Sequence, residues 1–167
     1  MSDDARLGWY AVWTRSRAEK SVRDQLTGKG IEVFLPTVIQ WSRWKDRRKQ
    51  VEWPLFPGYC FVKMDPRSKL PVISCDGVVH IVSVDGWAAE IPEQEVEAIR
   101  TLVSSTLALD PCPFLDEGDP VRVVAGPLTG VTGRLLRKGK DARLVVSIEL
   151  IGRAVSVQMH AADVRAL

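Results

Sequence analysis

At 167 residues, 46% of them hydrophobic and 26% charged, the chain has room for one medium domain or two small ones and the composition of an ordinary globular protein. No apolar run approaches the roughly 20 residues that a membrane-spanning helix needs, and the short, polar start MSDDARLG does not read as a signal peptide. Three cysteines, Cys60, Cys75 and Cys112, are an odd count in unrelated contexts, which argues against a disulfide framework and for a reducing, cytoplasmic location.

The net charge of +2 conceals an uneven distribution. Residues 1–72 carry 14 basic and 8 acidic side chains, residues 73–110 carry 1 and 7, and residues 111–167 carry 8 and 6. The first block can face a polyanion although the whole is nearly neutral. A surface whose charges are merely segregated and solvated accounts for the same counts.

Trp9 to Thr14, WYAVWT, is rich in aromatic and β-branched residues and reads as a strand. Ser16 to Glu19, SRAE, has the spacing of a capping box, and Ala18, Val22 and Leu26 then recur every four residues as one stripe of a helix. The glycines of TGKG close that helix, and IEVFLP follows as a short strand ended by Pro36. VIQWSRWK and QVEWPLF read as the arms of a hairpin with DRRK, Asp46 to Lys49, between them. In PLFPGYCFV, Pro57 and Gly58 mark the entry to a strand whose two faces are both apolar, Tyr59 and Phe61 on one and Cys60, Val62 and Met64 on the other.

SKLPVISCDG is ambiguous, because Pro71 limits a helix there and Gly77 ends it. VVHIVSV is a further strand, followed by the turn DGW. From Pro92 a second clear helix is expected, with Glu93 and Glu95 at its positive dipole end and Val96, Ile99 and Leu102 or Val103 as its buried stripe. Helices on one face of a mostly antiparallel sheet make an α+β sandwich. Two helices would cover only one face, so the aromatic face is expected to lie bare, unless its rings simply fill a core.

Residues 104–117 have two prolines and no periodicity, and suggest a linker. Beyond it, short β-branched runs punctuated by glycine and proline suggest a small closed β-barrel. The expected division is residues 1–105, a linker at 106–117, and residues 118–167.

Several stretches in their order along the chain resemble one family. WYAVWTRSRAEKSVRDQL, PLFPGYCFV and GVVHIVSVDG resemble the N-terminal (NGN) domain of the NusG family, and GDPVRVVAGPLTGVTGRLL resembles the KOW motif of its C-terminal, SH3-like barrel. PLFPGY, WSRWKDRRKQVEW and SIELIGRAVSV look most like the family's specialised paralogues of the UpxY and RfaH type. The resemblance implies a transcription elongation and antitermination factor. Its N-terminal domain would sit on the clamp helices of RNA polymerase, reach the gate loop and suppress pausing. The family's apolar pocket matches Trp13, Phe56, Pro57, Tyr59 and Phe61.

Arg15 matches a position from which RfaH-type members read the non-template DNA strand, and Arg17 lies beside it. Gln25, Gly28 and Asp76 stand where basic or polar DNA contacts would be expected. Arg43, Lys45, Arg47, Arg48 and Lys49 form the densest basic cluster; it suits phosphate contact with upstream or non-template DNA, or equally a solvated hairpin tip that discourages edge pairing. Leu150, Ile151, Gly152 and Arg153 match the segment through which KOW domains of relatives bind ribosomal protein S10 or the termination factor Rho. RfaH refolds this domain into helices. Here Gly126, Pro127, Gly130, Gly133 and Gly152 all penalise a helix, and strands are expected.

Enzyme chemistry has little to draw on. His80 and His160 sit in or near apolar strand contexts, no CxxC offers a zinc site, and GPLTG lacks the lysine and length of a phosphate loop. No metal, cofactor or catalytic set is expected. The competing reading is a ribosome-associated KOW protein whose basic loop, RLLRKGKDAR, grips RNA.

Overall fold

The computed structural model describes residues 6–44, 47–114, 117–138 and 141–167. The chain divides into two compact units, residues 1–93 and 94–167.

The first unit is built on strand β1 (Gly8–Thr14), whose run of large and β-branched residues makes it the centre of an antiparallel sheet. After α1 (Glu19–Gly28) come β2 (Glu32–Phe34), the hairpin strands β3 (Thr37–Trp44) and β4 (Arg47–Pro54), and β5 (Tyr59–Met64). A one-turn helix α2 (Leu70–Ile73) then leads to β6 (Val78–Ile81), a small hairpin of β7 (Ser83–Val84) and β8 (Trp87–Ala88), and β9 (Glu90–Ile91). The sheet order is β2-β5-β1-β6, and β9 joins β6 on the same side of β1.

Helices α1 and α2 cover one face of this sheet. Tyr10, Val12, Cys60, Val62, Met64 and Ile81 from the strands pack with Val22 and Leu26 of α1 and Val72 of α2. The ambiguous SKLPVISCDG segment thus supplies a second helix to this layer, with Pro71 tolerated in its first turn. At the end of α1, Gly30 takes a left-handed φ of 75° and the Ile31 N–H donates to the Leu26 carbonyl at 3.0 Å, so the expected glycine closure forms. The expected capping box does not. Ala18 occupies the N-cap without a side-chain cap, and Arg17 before it has φ 63°.

In the second unit, α3 (Glu93–Ser104) buries Val96, Ala98, Ile99 and Leu102. It is followed by β10 (Leu109–Pro113), β11 (Asp119–Val123), β12 (Thr132–Lys138) and β13 (Asp141–Ile148). A 3-10 turn at Glu149–Ile151, β14 (Arg153–Met159), a second such turn at Ala161–Asp163 and β15 (Val164–Ala166) complete it. The strands form one antiparallel sheet in the order β10-β14-β13-β12-β11-β15, with Val121, Leu135, Leu144, Val146, Val155 and Val157 in its core. Gly133 is required by close approach: a Cβ there would lie 2.5 Å from the Val145 carbonyl oxygen on the neighbouring strand.

Two boundaries differ from the sequence reading. The stretch expected as a linker, 106–117, contains β10, which pairs with β14 from Leu109↔Val157 to Pro113↔Arg153. Its prolines fit because β10 ends the sheet order and needs ladder bonds on one side only. The helix after Pro92, expected with the first domain, groups with the second unit, where the Glu95 carboxylate accepts a hydrogen bond from the Glu149 N–H at 2.9 Å.

Candidate functional site

Antiparallel register decides which side chains share a face. Trp13 stands opposite Tyr59 and Ala11 opposite Phe61 on β5; Phe34 of β2 stands opposite Phe61 in turn. On the other side of β1, Trp13 is opposite His80 and Trp9 opposite Ile91. These residues form the face away from α1 and α2, and it is apolar as the sequence indicates.

It is not bare, which corrects the expectation of an uncovered face. Trp9, Ala11, Phe34, Phe61 and Ile91 are buried, and so is Phe56; the exposures of Phe61 and Phe56 are 1% and 2%. Phe61 meets the Phe56 ring edge-on at a centroid distance of 6.2 Å and the Phe34 ring at 6.3 Å. Of the five residues assigned to one socket, Phe56 and Phe61 are therefore core. The expectation puts both clear helices on one face of the first sheet, whereas the helical layer on that face is made by α1 and α2. The other three residues gather at the open end: Trp13 and Tyr59 are half-buried in a T-shaped pair with centroids 4.9 Å apart, and Pro57 is exposed. His80, opposite Trp13, is exposed as well. Its place beside the pair depends on strand register, which VVHIVSV alone does not reveal.

The turn before Tyr59 is held from several directions. The Leu55 N–H donates to the Pro36 carbonyl at 2.8 Å and the Tyr59 N–H to the Phe56 carbonyl at 3.1 Å. Gly58 has φ 87° and uses both of its backbone groups: its carbonyl accepts from the Thr14 N–H at 2.8 Å, and its N–H donates to Glu19 Oε1 at 2.9 Å. Glu19, only 6% exposed, thus spends its carboxylate on the turn that presents Pro57 and Tyr59 rather than on its own helix cap. SRAE points to the right residue for a different bond. Cys60, next after Tyr59, faces the helices; burial pushes its thiol up to about 12, with smaller contributions from Cys75 and Glu19, so it is an inert core group.

The basic candidates fall into two places. Arg15 and Arg17 are exposed at the entry to α1. In the hairpin, Arg47, Arg48 and Lys49 belong to strand β4 rather than to a loop tip, with Arg43 opposite Arg48 and Ser42 opposite Lys49. Lys49 is exposed, and Lys45 lies outside the described residues. The hairpin is tied to α1 where the Lys20 Nζ donates to the Glu52 carbonyl at 2.8 Å. Gln25 serves the backbone, because its side-chain amide bonds both the carbonyl and the N–H of Asp76, at 2.8 and 2.9 Å.

In the second unit, Leu150 and Ile151 are half-buried, and Gly152 and Arg153 are exposed. Gly152 takes φ 63° with nothing within 4 Å of its missing Cβ, so conformation rather than space calls for glycine. Its N–H donates to the Glu149 carbonyl at 3.0 Å, which closes the 3-10 turn. The neighbouring Glu95 carboxyl is pushed up chiefly by burial, against the opposing hydrogen bond from Glu149.

Among the described residues, no group of three or more His, Cys, Asp or Glu side chains stands together to hold a metal, and no helix is long and apolar enough to cross a membrane.

The family model described as "Transcription termination factor nusG" matches residues 7–100. Along nearly its whole length the chain is similar to transcription termination/antitermination proteins NusG. It is 26% identical to that of Helicobacter pylori J99 over 92% of this chain and 94% of the relative. It is 28% identical to that of Vibrio cholerae over 100% of both. A solved structure, "Domain interaction in Thermotoga maritima NusG", matches with a TM-score of 0.55 at 24% identity, over 97% of this chain and 98% of that one, a likeness of fold.

Proposed function

Because the chain belongs to the NusG family of transcription termination and antitermination factors, we propose that it docks on transcribing RNA polymerase through the open end of its aromatic face and there suppresses pausing or termination. The carrying observation is the half-exposed Trp13–Tyr59 pair beside exposed Pro57 and His80, on a face whose other aromatic rings are buried. An aromatic pair with one side in the core and one side free is a rigid anchor that needs little ordering on binding. The clamp helices are the docking element this reading favours, with the gate loop as the far end of the bridge. Phe56 and Phe61 act beneath the contact, as the support on which Tyr59 rests.

Arg15 and Arg17, exposed at the start of α1, are the residues assigned to phosphates of non-template or upstream DNA, a contact that weakens with salt and does not read sequence. Lys49 and the hairpin arginines Arg43, Arg47 and Arg48 are a second such set. In the second unit the turn from Leu150 to Arg153 recruits the other partner, ribosomal protein S10 or Rho; half-buried Ile151 is its apolar centre.

The test is affinity for purified core RNA polymerase, read by fluorescence anisotropy of the labelled chain. Tyr59→Ala removes an anchor worth about 2 kcal/mol, a loss of roughly thirtyfold. An unchanged affinity, or wild-type protein that does not bind polymerase, overturns the reading.

A further inference from the structure

Between β6 and β9 the chain leaves the edge of the first sheet and returns to it. Ile81 stands opposite Val12, the Val82 N–H still donates to the Ala11 carbonyl at 2.9 Å, and Glu90 rejoins opposite Tyr10. The excursion is the hairpin of β7 and β8. Asp85 and Gly86 have φ 53° and 82°, the left-handed pair of a tight two-residue turn. The base is fixed where the Ala89 N–H donates to the Val82 carbonyl at 3.1 Å and the Ser83 hydroxyl to the Ile81 carbonyl at 2.9 Å.

At the tip Val84 and Trp87 stand directly opposite one another, and they are 54% and 80% exposed. A short hairpin too small to have a core thus holds a tryptophan in solvent with a valine as its neighbour. The surroundings decide the kind of partner. From Leu70 to Glu93, within the first unit, the chain has no lysine or arginine, and Asp85 in the turn itself and Glu90 where the hairpin rejoins the sheet are exposed. Such a field repels phosphate, so a nucleic acid is disfavoured despite the stacking platform a tryptophan offers.

We propose that the Val84–Trp87 tip is a second attachment point, which inserts into an apolar recess bordered by lysine or arginine on the polymerase surface. This rests on the polymerase reading above but uses the β6–β9 edge of the sheet, whereas the Trp13–Tyr59 pair lies on the interior strands β1 and β5.

The test compares the full-length chain with Trp87→Ala, Trp87→Phe and Asp85→Asn for binding to purified core RNA polymerase at two salt concentrations, with Tyr59→Ala in parallel. Trp87 is mostly in solvent and asparagine tolerates the left-handed backbone, so the variants keep the fold; matching circular dichroism spectra verify this. Trp87→Ala is expected to weaken binding about tenfold or more and Trp87→Phe less. Asp85→Asn should weaken it mainly at low salt. If Tyr59→Ala weakens binding while Trp87→Ala does not, the hairpin proposal is overturned and the polymerase reading stands. If the wild-type chain does not bind polymerase, both fall. Should Trp87→Ala instead weaken binding to a labelled single-stranded DNA oligonucleotide and leave polymerase affinity unchanged, the tip is a stacking platform and the proposal is wrong.

Discussion

Glu19 is the side chain whose loss should reach furthest from its own position. Its carboxylate satisfies the Gly58 N–H in a part-buried place. In Glu19→Ala that donor loses its partner, a cost of about 1–3 kcal/mol, and the turn carrying Pro57 and Tyr59 loosens. Glu19→Gln keeps an acceptor oxygen and should retain most of the stability. Urea denaturation midpoints of the two variants check this: the alanine should fall well below the glutamine, and equal midpoints would show that the bond is dispensable. The residue also shows what the sequence reveals and withholds. SRAE gives away a glutamate with a backbone partner, but the local partner is simply the one visible from sequence. The actual partner lies 39 positions away, and only the packing of α1 against β5 brings it near.

At the scale of elements, β10 is the instructive case. Leu109 to Pro113 has no alternation and two prolines, so nothing in its composition marks a strand. It becomes one because β14 offers an edge, and proline is tolerated where a strand has a neighbour on one side only. Further hold comes from Asp110, whose carboxylate accepts a hydrogen bond from Arg143 of β13. A fragment cut at the expected domain start, 118–167, therefore loses a strand, whereas 106–167 retains it. The longer fragment should melt several degrees higher by circular dichroism, and coincident melting curves would count against this pairing. Elements with strong local signals, β1, α1, β5 and α3, are legible in the sequence with little error. The hairpin of β3 and β4 is also legible, although DRRK is not all turn, since Arg47 already pairs with Trp44.

For the molecule as a whole, the order of elements follows from local patterns, whereas the coverage of each face does not. Whether Phe56 and Phe61 are socket or core depends on what lies over them, and side-chain type does not encode that. The C-terminal strands are expected because glycine and proline interrupt every long helical window there, and they form in that region. Among the described residues the α-helix is that of α1, α2 and α3, with 10, 4 and 12 residues, and circular dichroism of the intact chain should accordingly show a helical signal of about that size. A clearly larger helical signal would mean that the second unit has an alternative helical state. The half-sealed aromatic face has one further consequence, for the protein before it meets any partner. A wholly open sheet of tryptophan and phenylalanine would be an adhesive surface, and copies would stick to one another at the concentrations of a cell. With Trp9, Phe34, Phe56 and Phe61 buried and the Trp13–Tyr59 pair only half-buried, that face offers another copy far less apolar surface than an open sheet would.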